Sequence, residues 1–136
     1  MKKQKGQALI EFALVFPFFL LLIFGVIYSG MLYYDYSTLS SVARSVARER
    51  AISPQTEIED DKIITKYFKD GRFQYGQVTS LYNPDTTPIS LEITGDDVVV
   101  KINMKLGERS PLMELVLPER YSIIYHMKKD YRDTTS

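Results

Sequence analysis

The chain opens with a long apolar segment. Residues 8–28 supply the ~20 apolar residues that a transmembrane helix needs, and no side chain between Phe12 and Tyr34 is charged at neutral pH. Glu11 is the exception, because it lies inside the segment near its N-terminal end. An acid there is costly to place in a membrane, so its presence requires a reason. The pattern predicts a membrane-spanning helix over residues 7–34.

The apolar pattern continues beyond the span with the period of an α-helix. Apolar residues recur in steps of three and four, which predicts an amphipathic stem over residues 35–52 that is continuous with the span. One helix from Gln7 to Ile52 would be ~70 Å long at ~1.5 Å per residue. Pro17 removes one internal hydrogen bond and is expected to kink or loosen this helix. The apolar positions of the stem are Leu32, Tyr36, Leu39, Ala43, Val46 and Ala47.

A second helix is predicted after the stem. Ser53 ends the stem, and Pro54 allows a new helix to begin because proline suits a first helical position. Gly71 is expected to end it. We expect a solvated acidic start, which the helix dipole favours, and one buried apolar face. The acids are Glu57, Glu59, Asp60 and Asp61, and the apolar face is Ile58, Ile64, Tyr67 and Phe68.

From Phe73 onward, apolar and polar residues alternate, which predicts β-strands. Two strands, at residues 89–93 and 98–106, are joined by a hairpin loop at residues 94–97. A third strand covers residues 121–127, and residues 73–82 form a fourth. The pattern therefore predicts an α+β fold, in which a long N-terminal helix and a second helix accompany a small antiparallel sheet, with residues 53–136 as the head.

Residues 110–118 lie between the last two predicted strands and contain five apolar residues. Ser110 is a helix-capping residue and Pro118 a terminator, so one or two helical turns are expected on this loop. Two interpretations stay open. The apolar side chains cover the open end of a small core, which we favour, or they contact another subunit or the membrane surface.

Composition and charge exclude several classes of protein. The 136 residues include 17 basic and 17 acidic side chains, so the sequence gives no reason to expect a nucleic-acid partner. The part after the span is large enough for one modest domain. There is no cysteine, so the head must be held together by its apolar core, by neighbouring subunits, or by both.

The charges that flank the apolar segment predict its orientation. Lys2, Lys3 and Lys5 precede it, and the first charge after it is Asp35. The N-terminus is therefore expected to stay in the cytoplasm, with a single span in the cytoplasmic membrane and an exported head. A cleaved secretory signal is the competing interpretation. Its candidate sites, at residues 41–43 and 45–47, lie far beyond an apolar run longer than the usual ~7–15 residues, which argues against it.

The sequence offers no catalytic constellation. His126 is the only histidine, and it lies within a predicted strand without a nucleophile beside it, so an exposed or structural role is expected. Asp96 and Asp97 belong to a turn. No spacing typical of metal ligands or of a phosphate-binding loop occurs. We therefore expect no enzyme activity, no metal and no cofactor. Tyrosines at positions 28, 33, 34 and 36 suit a membrane–water interface.

The N-terminal segment resembles a known family. Residues 5–17 read KGQALIEFALVFP, in which a basic stretch ends at Gly6 and an apolar helix follows with Glu11 as its fifth residue. This resembles the cleavage region of type IV prepilins. The wider stretch, including Pro17, Gly25 and the later LSSVAR at residues 39–44, resembles the TadE-like minor pilins of tight-adherence (Tad/Flp) pilus systems. The resemblance covers about residues 5–50.

The resemblance implies that the chain is processed and then assembled with other subunits. Residues 1–6 would be a leader that a prepilin peptidase removes between Gly6 and Gln7. Glu11 would then pair with the new N-terminal amine of a neighbouring subunit during assembly. The implied partners are the prepilin peptidase, other pilins and minor pilins, the inner-membrane assembly platform and the membrane. The resemblance leaves open whether the protein belongs to the fibre, to its tip or only to the assembly machine.

Two further expectations concern contacts and an alternative function. Gly25 and Ser29 form a small-xxx-small pair, which allows another helix to approach closely, although glycine is also common in spans for other reasons. The alternative to a processed minor pilin or pseudopilin is an unprocessed single-span anchor whose exported head binds another envelope component.

Overall fold

The computed structural model describes residues 2–54, 56–74, 81–107 and 111–129 and has the predicted α+β fold. Its helices are α1 (Lys2–Ile52), α2 (Glu57–Tyr67) and α3 (Pro111–Val116). Its strands are β1 (Phe68–Lys69), β2 (Arg72–Phe73), β3 (Tyr82–Thr94), β4 (Asp97–Leu106) and β5 (Arg120–Lys128).

The predicted long N-terminal helix is present as α1, which is 51 residues long. At ~1.5 Å per residue it extends for ~77 Å. It begins at Lys2 and therefore already includes Gly6, so no change of backbone structure marks the expected cleavage point. The helix also continues through Pro17 without a break in its assignment. It ends where predicted, and the Ser53 hydroxyl donates a hydrogen bond to the Glu49 carbonyl at 2.7 Å.

The buried residues of the stem form two adjacent rows spaced by four, one from Asp35 to Ala51 and one from Val42 to Arg50. Leu39, Ala43 and Ala47 are completely buried, as predicted. The prediction for Tyr36 was wrong, because its side chain is half exposed and Asp35 is buried instead. The reason is the direction of the packing ridges: Asp35 is the first member of the longer buried row, whereas Tyr36 lies outside both rows.

Helix α2 begins later than predicted, with Thr56 rather than Pro54 at its start, and the Thr56 hydroxyl accepts a hydrogen bond from the Glu59 amide. Its buried residues are Ile63 and Tyr67. The predicted inward position of Ile58 was wrong, because that side chain is exposed on the opposite side of the helix from Ile63. The inward position in the first turns is taken by an acid, Asp60, which pairs with Arg50.

A short hairpin follows α2 where the sequence had suggested only the end of a helix. The helix stops at Tyr67, and Phe68 and Phe73 pair across strands β1 and β2. Asp70 and Gly71 have φ of 54° and 75°, the values of a two-residue type I′ turn. Gly71 therefore forms the turn rather than ending the helix. The predicted fourth strand is not one strand, since Phe73 ends β2 and Tyr82 begins β3; residues 75–80 lie outside the described part.

The main sheet is antiparallel in the order β3-β4-β5. The predicted hairpin joins β3 to β4, with Thr94 opposite Asp97, and β4 buries every second residue as expected. The pairing of β3 shifts between Pro84 and Ile89. The inner residues of β4 are Val98, Val100, Ile102, Met104 and Leu106.

Strand β5 runs in the same direction as α1, and this direction shows which end of the head is nearer the apolar half of α1. Near its start, the Tyr121 hydroxyl is close enough to Asp35 for that carboxylate to raise its pKa. Further along, the Arg44 guanidinium carbon lies 5.8 Å from the centre of the Tyr125 ring. The four residue steps from Tyr121 to Tyr125 cover ~13 Å of strand. The nine residue steps from Asp35 to Arg44 cover about the same length of helix. The start of β5 is therefore at the end of the head nearer the apolar half of α1.

The predicted helical turns between the last two strands are α3. Leu117 is buried and Met113 packs against the core, so these side chains cover the end of the core, as favoured above. Leu115 does not follow this interpretation, since 71% of its side chain is exposed. Ser110, the predicted cap, lies outside the described residues.

Candidate assembly segment

The first half of α1 projects from the head. Tyr28 is the first residue of the helix that packs against the core of the head, so residues 2–27, here called the projecting segment, extend for ~39 Å. Its apolar side chains are largely exposed, including Leu9, Phe12, Leu14 and Phe18. Helix α1 is long and apolar enough to span a membrane, and no residue of its most apolar window is buried.

Glu11 lies near the start of the projecting segment and is exposed. Its carboxylate accepts a hydrogen bond of 3.3 Å from the side-chain amide of Gln7, one helical turn earlier. The backbone nitrogen of Gln7, which cleavage after Gly6 would convert to an ammonium group, is ~6 Å away along the axis. The carboxylate of Glu11 and the nitrogen that such a cleavage would expose are therefore about one helical turn apart.

Among the described residues, no side chain or neighbouring element requires a glycine in the projecting segment. A Cβ atom added at Gly6 or Gly25 would meet no atom within 4 Å. Ser29 is exposed one turn after Gly25, so the two small residues lie on one face of α1. A requirement for glycine at either position would therefore have to come from a second molecule.

Other predicted features of the segment are also placed by α1. Lys2, Lys3 and Lys5 lie in its first turns, before the apolar residues. Pro17 lies within the helix and has no N–H to donate to the carbonyl of Ala13. Aromatic rings stack one turn apart on the surface, with 5.4 Å between the ring centres of Phe12 and Phe16. Such pairs within the helix leave the outer faces of the rings available.

A polar cluster that sequence analysis missed lies at the base of the head. Asp35 is 0% exposed and is close to the hydroxyls of Tyr82 and Tyr121, whose pKa values are raised first by burial and then by the Asp35 charge. The Tyr82 hydroxyl donates to the Pro118 carbonyl at 2.8 Å. The two tyrosine rings meet edge to face with 4.7 Å between centres. This cluster joins α1 to β3 and β5.

A second polar link, also missed, joins α1 to α2. Arg50 is 3% exposed, pairs with Asp60, and donates to the Pro54 carbonyl at 2.8 Å. Burial raises the pKa of Asp60, and the Arg50 charge partly opposes this effect. The expected solvated acidic start is therefore incorrect for Asp60. The available signal was spacing, since Asp60 precedes Ile63 by three residues and Tyr67 by seven, which is one helix face.

The residues that the structure describes give no further candidate for chemistry. His126 is exposed on the outer face of the sheet, where it lies opposite Val99. Among the described residues, no group of three or more histidine or acidic side chains is arranged to hold a metal ion. The features that remain for a function are the projecting segment and the surface of the head.

Comparison with known proteins gives one finding for the same part of the chain. Neither curated proteins nor solved structures gave a match. The family model described as TadE-like protein matches residues 6–48, which include Gly6, Glu11, Pro17 and the buried row that begins at Asp35. The resemblance stated from the sequence is confirmed for this part of the chain: from Gly6 to Arg48, the sequence is similar to the TadE-like family.

Proposed function

We propose that this protein is a processed minor pilin or pseudopilin that takes part in assembling a tight-adherence type IV pilus used for surface attachment. The observation that carries the proposal is the projecting segment. From residue 8 to residue 27 it presents ~30 Å of largely exposed apolar helix with one acid near its start, and the TadE-like match covers it from Gly6 onward. A helix that is apolar on all sides needs surroundings that the head does not supply, namely lipid before assembly and other helices afterwards.

Processing gives Glu11 its role in this proposal. An ionised acid within a span costs ~2.5–3.5 kcal/mol on insertion scales for charged residues. Cleavage between Gly6 and Gln7 creates an ammonium group at the same depth, and an opposite charge nearby in a medium of low dielectric offsets the cost. Before processing, the Gln7 amide is the partner of the carboxylate. After processing, the amine of a neighbouring subunit takes over as the helices come together.

The remaining features fit the same role. Lys2, Lys3 and Lys5 hold the leader in the cytoplasm, where the prepilin peptidase acts, and the head is exported. The open face at Gly25 and Ser29 allows a helix of another pilin or of the assembly platform to approach closely. The family is a structural one, in agreement with a role in assembly rather than catalysis.

The substitution Glu11→Gln tests this proposal, because glutamine has nearly the same size and remains polar. We expect the variant to be inserted and cleaved normally, but to be lost from sheared pili or to abolish their formation. Glu57→Gln is the matched control, since Glu57 is an exposed acid on the head. Normal incorporation and normal crosslinking of the Glu11 variant to its partners would contradict the proposed role of this acid.

A further inference from the structure

The connection between β4 and β5 lies at the end of the head nearer the projecting segment. Strand β5 starts near the level of Asp35, whose charge acts on Tyr121, and runs away from that segment to the level of Arg44, which lies over the Tyr125 ring. Helix α3 lies in this connection and contacts α1 directly. Its Met113 packs against the core of the head.

This position brings α3 to the depth of lipid headgroups if the projecting segment spans a membrane, which is part of the function proposed above. Asp35 is seven residues beyond Tyr28, or ~10 Å along the helix. The headgroup region of a bilayer extends ~5–7 Å beyond each side of the hydrocarbon. The base of the head is thus held against this region by its own anchor.

One apolar side chain of α3 is not used by the core. Met113 and Leu117 pack inward, whereas Leu115 is 71% exposed. A comparably exposed aliphatic side chain, Ile58 at 68%, lies at the opposite end of the head near the start of α2. Leu115 and Ile58 are therefore similar in exposure and chemistry, but Leu115 is closer to the predicted bilayer.

Two cations flank the same connection on the outer face of the sheet. Lys105 is paired directly opposite Arg120 across β4 and β5, and both side chains are exposed. Like charges in this arrangement repel, so a shared anion would stabilise them. In the described part of the chain, neither cation makes a salt bridge. Glu114 and Glu119 lie on the same connection, and each is engaged in an interaction of its own.

We propose that this basal surface, formed by Leu115, Lys105 and Arg120, rests on the outer leaflet of the membrane that α1 spans. Leu115 enters the interface, and the two cations bind lipid phosphate groups. The partner is a phospholipid surface, because the anchor holds the surface beside it and because an isolated leucine between cations suits an interface. The head is then oriented on the membrane before assembly rather than free to swing on its helix.

The test uses the full chain in vesicles of phosphatidylethanolamine and phosphatidylglycerol. Because the protein has no cysteine, Leu115→Cys and Ile58→Cys each provide a single site for a fluorescent label. We expect a nitroxide quencher attached to lipid headgroups to quench the label at position 115 several-fold more strongly than the label at position 58. Adding Lys105→Gln with Arg120→Gln should reduce that difference, whereas the exposed cations Lys101 and Lys128, changed together to glutamine, should leave it intact.

The outcomes separate this proposal from the function on which it rests. Equal quenching at positions 115 and 58, with strong quenching of a label at Leu14→Cys by a second nitroxide placed on the lipid acyl chains, would overturn the basal contact and leave the membrane anchor standing. No quenching at position 14 would overturn both. A label at position 115 that is shielded only when other pilus subunits are present would also overturn it, in favour of a protein contact.

Discussion

The two halves of α1 belong to one continuous helix but have opposite surroundings. From residue 12 to residue 27 the projecting segment is apolar on all sides and largely exposed, whereas the stem is apolar on one face and packs that face against the head. Leu14 and Leu39 illustrate the difference, with exposed fractions of 65% and 0%. Amphipathicity therefore marks the half that completes its own fold, and uniform apolarity marks the half that depends on lipid or other chains.

The largest expected effect is on the free energy of unfolding when Leu39 or Leu14 is changed to alanine. Leu39→Ala should reduce the free energy of unfolding of the head by ~2–5 kcal/mol, because it leaves a cavity in the core. Leu14→Ala should leave that free energy unchanged. Denaturant unfolding of the detergent-solubilised chain, followed by near-ultraviolet circular dichroism of its tyrosines, measures both. Similar losses in the two variants would show that the halves do not differ as described.

Two glycines extend the comparison to the backbone. Gly71 has φ of 75° in the β1–β2 turn, so Gly71→Ala should destabilise the head by ~1–2 kcal/mol. Gly25 is helical with open space around it, so Gly25→Ala should not destabilise the isolated chain. Thermal unfolding in detergent compares the two. If Gly25→Ala also impairs pilus assembly without changing stability, a second helix contacts that face; a loss of stability at Gly25 would contradict the described packing.

The smallest expected effect concerns the tyrosines at the base of the head. Tyr121 makes no hydrogen bond within the described residues, so Tyr121→Phe should change stability little at neutral pH. Tyr82→Phe, the control, loses the bond to Pro118 and should cost ~0.5–1.5 kcal/mol.

The Tyr121 hydroxyl is expected to affect the stability of the head at alkaline pH. Burial raises the pKa of Tyr121 above its ordinary value, so its contribution is complete below pH ~10 and is lost as the pH rises through the folded value. Tyr121→Phe should therefore flatten the fall of stability above pH ~10, as unfolding curves across that range would show. An unchanged slope would mean that this phenol does not stay neutral in the folded head.

The periodicity of apolar residues correctly predicted the elements that bury one regular face against a neighbouring element. Strand β4 and the stem were correct for this reason, since each buries one regular face. The errors occurred where a polar residue takes an inward position. Asp60 was predicted to be solvated, and Asp35 was used only as the first charge after the span. Each sits in the spacing of a buried row and interacts with a residue of another element. Such partners are not visible in a local pattern.

The β1–β2 hairpin was missed for a different reason. Strands of two residues are too short to show alternation, and Asp70-Gly71 is compatible with a helix end as well as with a turn. For the candidate site, the sequence alone supplied the positions of Gly6, Glu11, Pro17 and Gly25. Their roles depend on other molecules and stay predictions.

The mature N-terminus is the measurement that tests the central claim most directly. Mass spectrometry of the protein from cells that carry a prepilin peptidase should find a chain that begins at Gln7, and Gly6→Val should retain the leader and the larger mass. This result would place the new amine one helical turn from Glu11. A wild-type chain that keeps residues 1–6, with a mass unaffected by Gly6→Val, would contradict the account and favour an unprocessed membrane anchor.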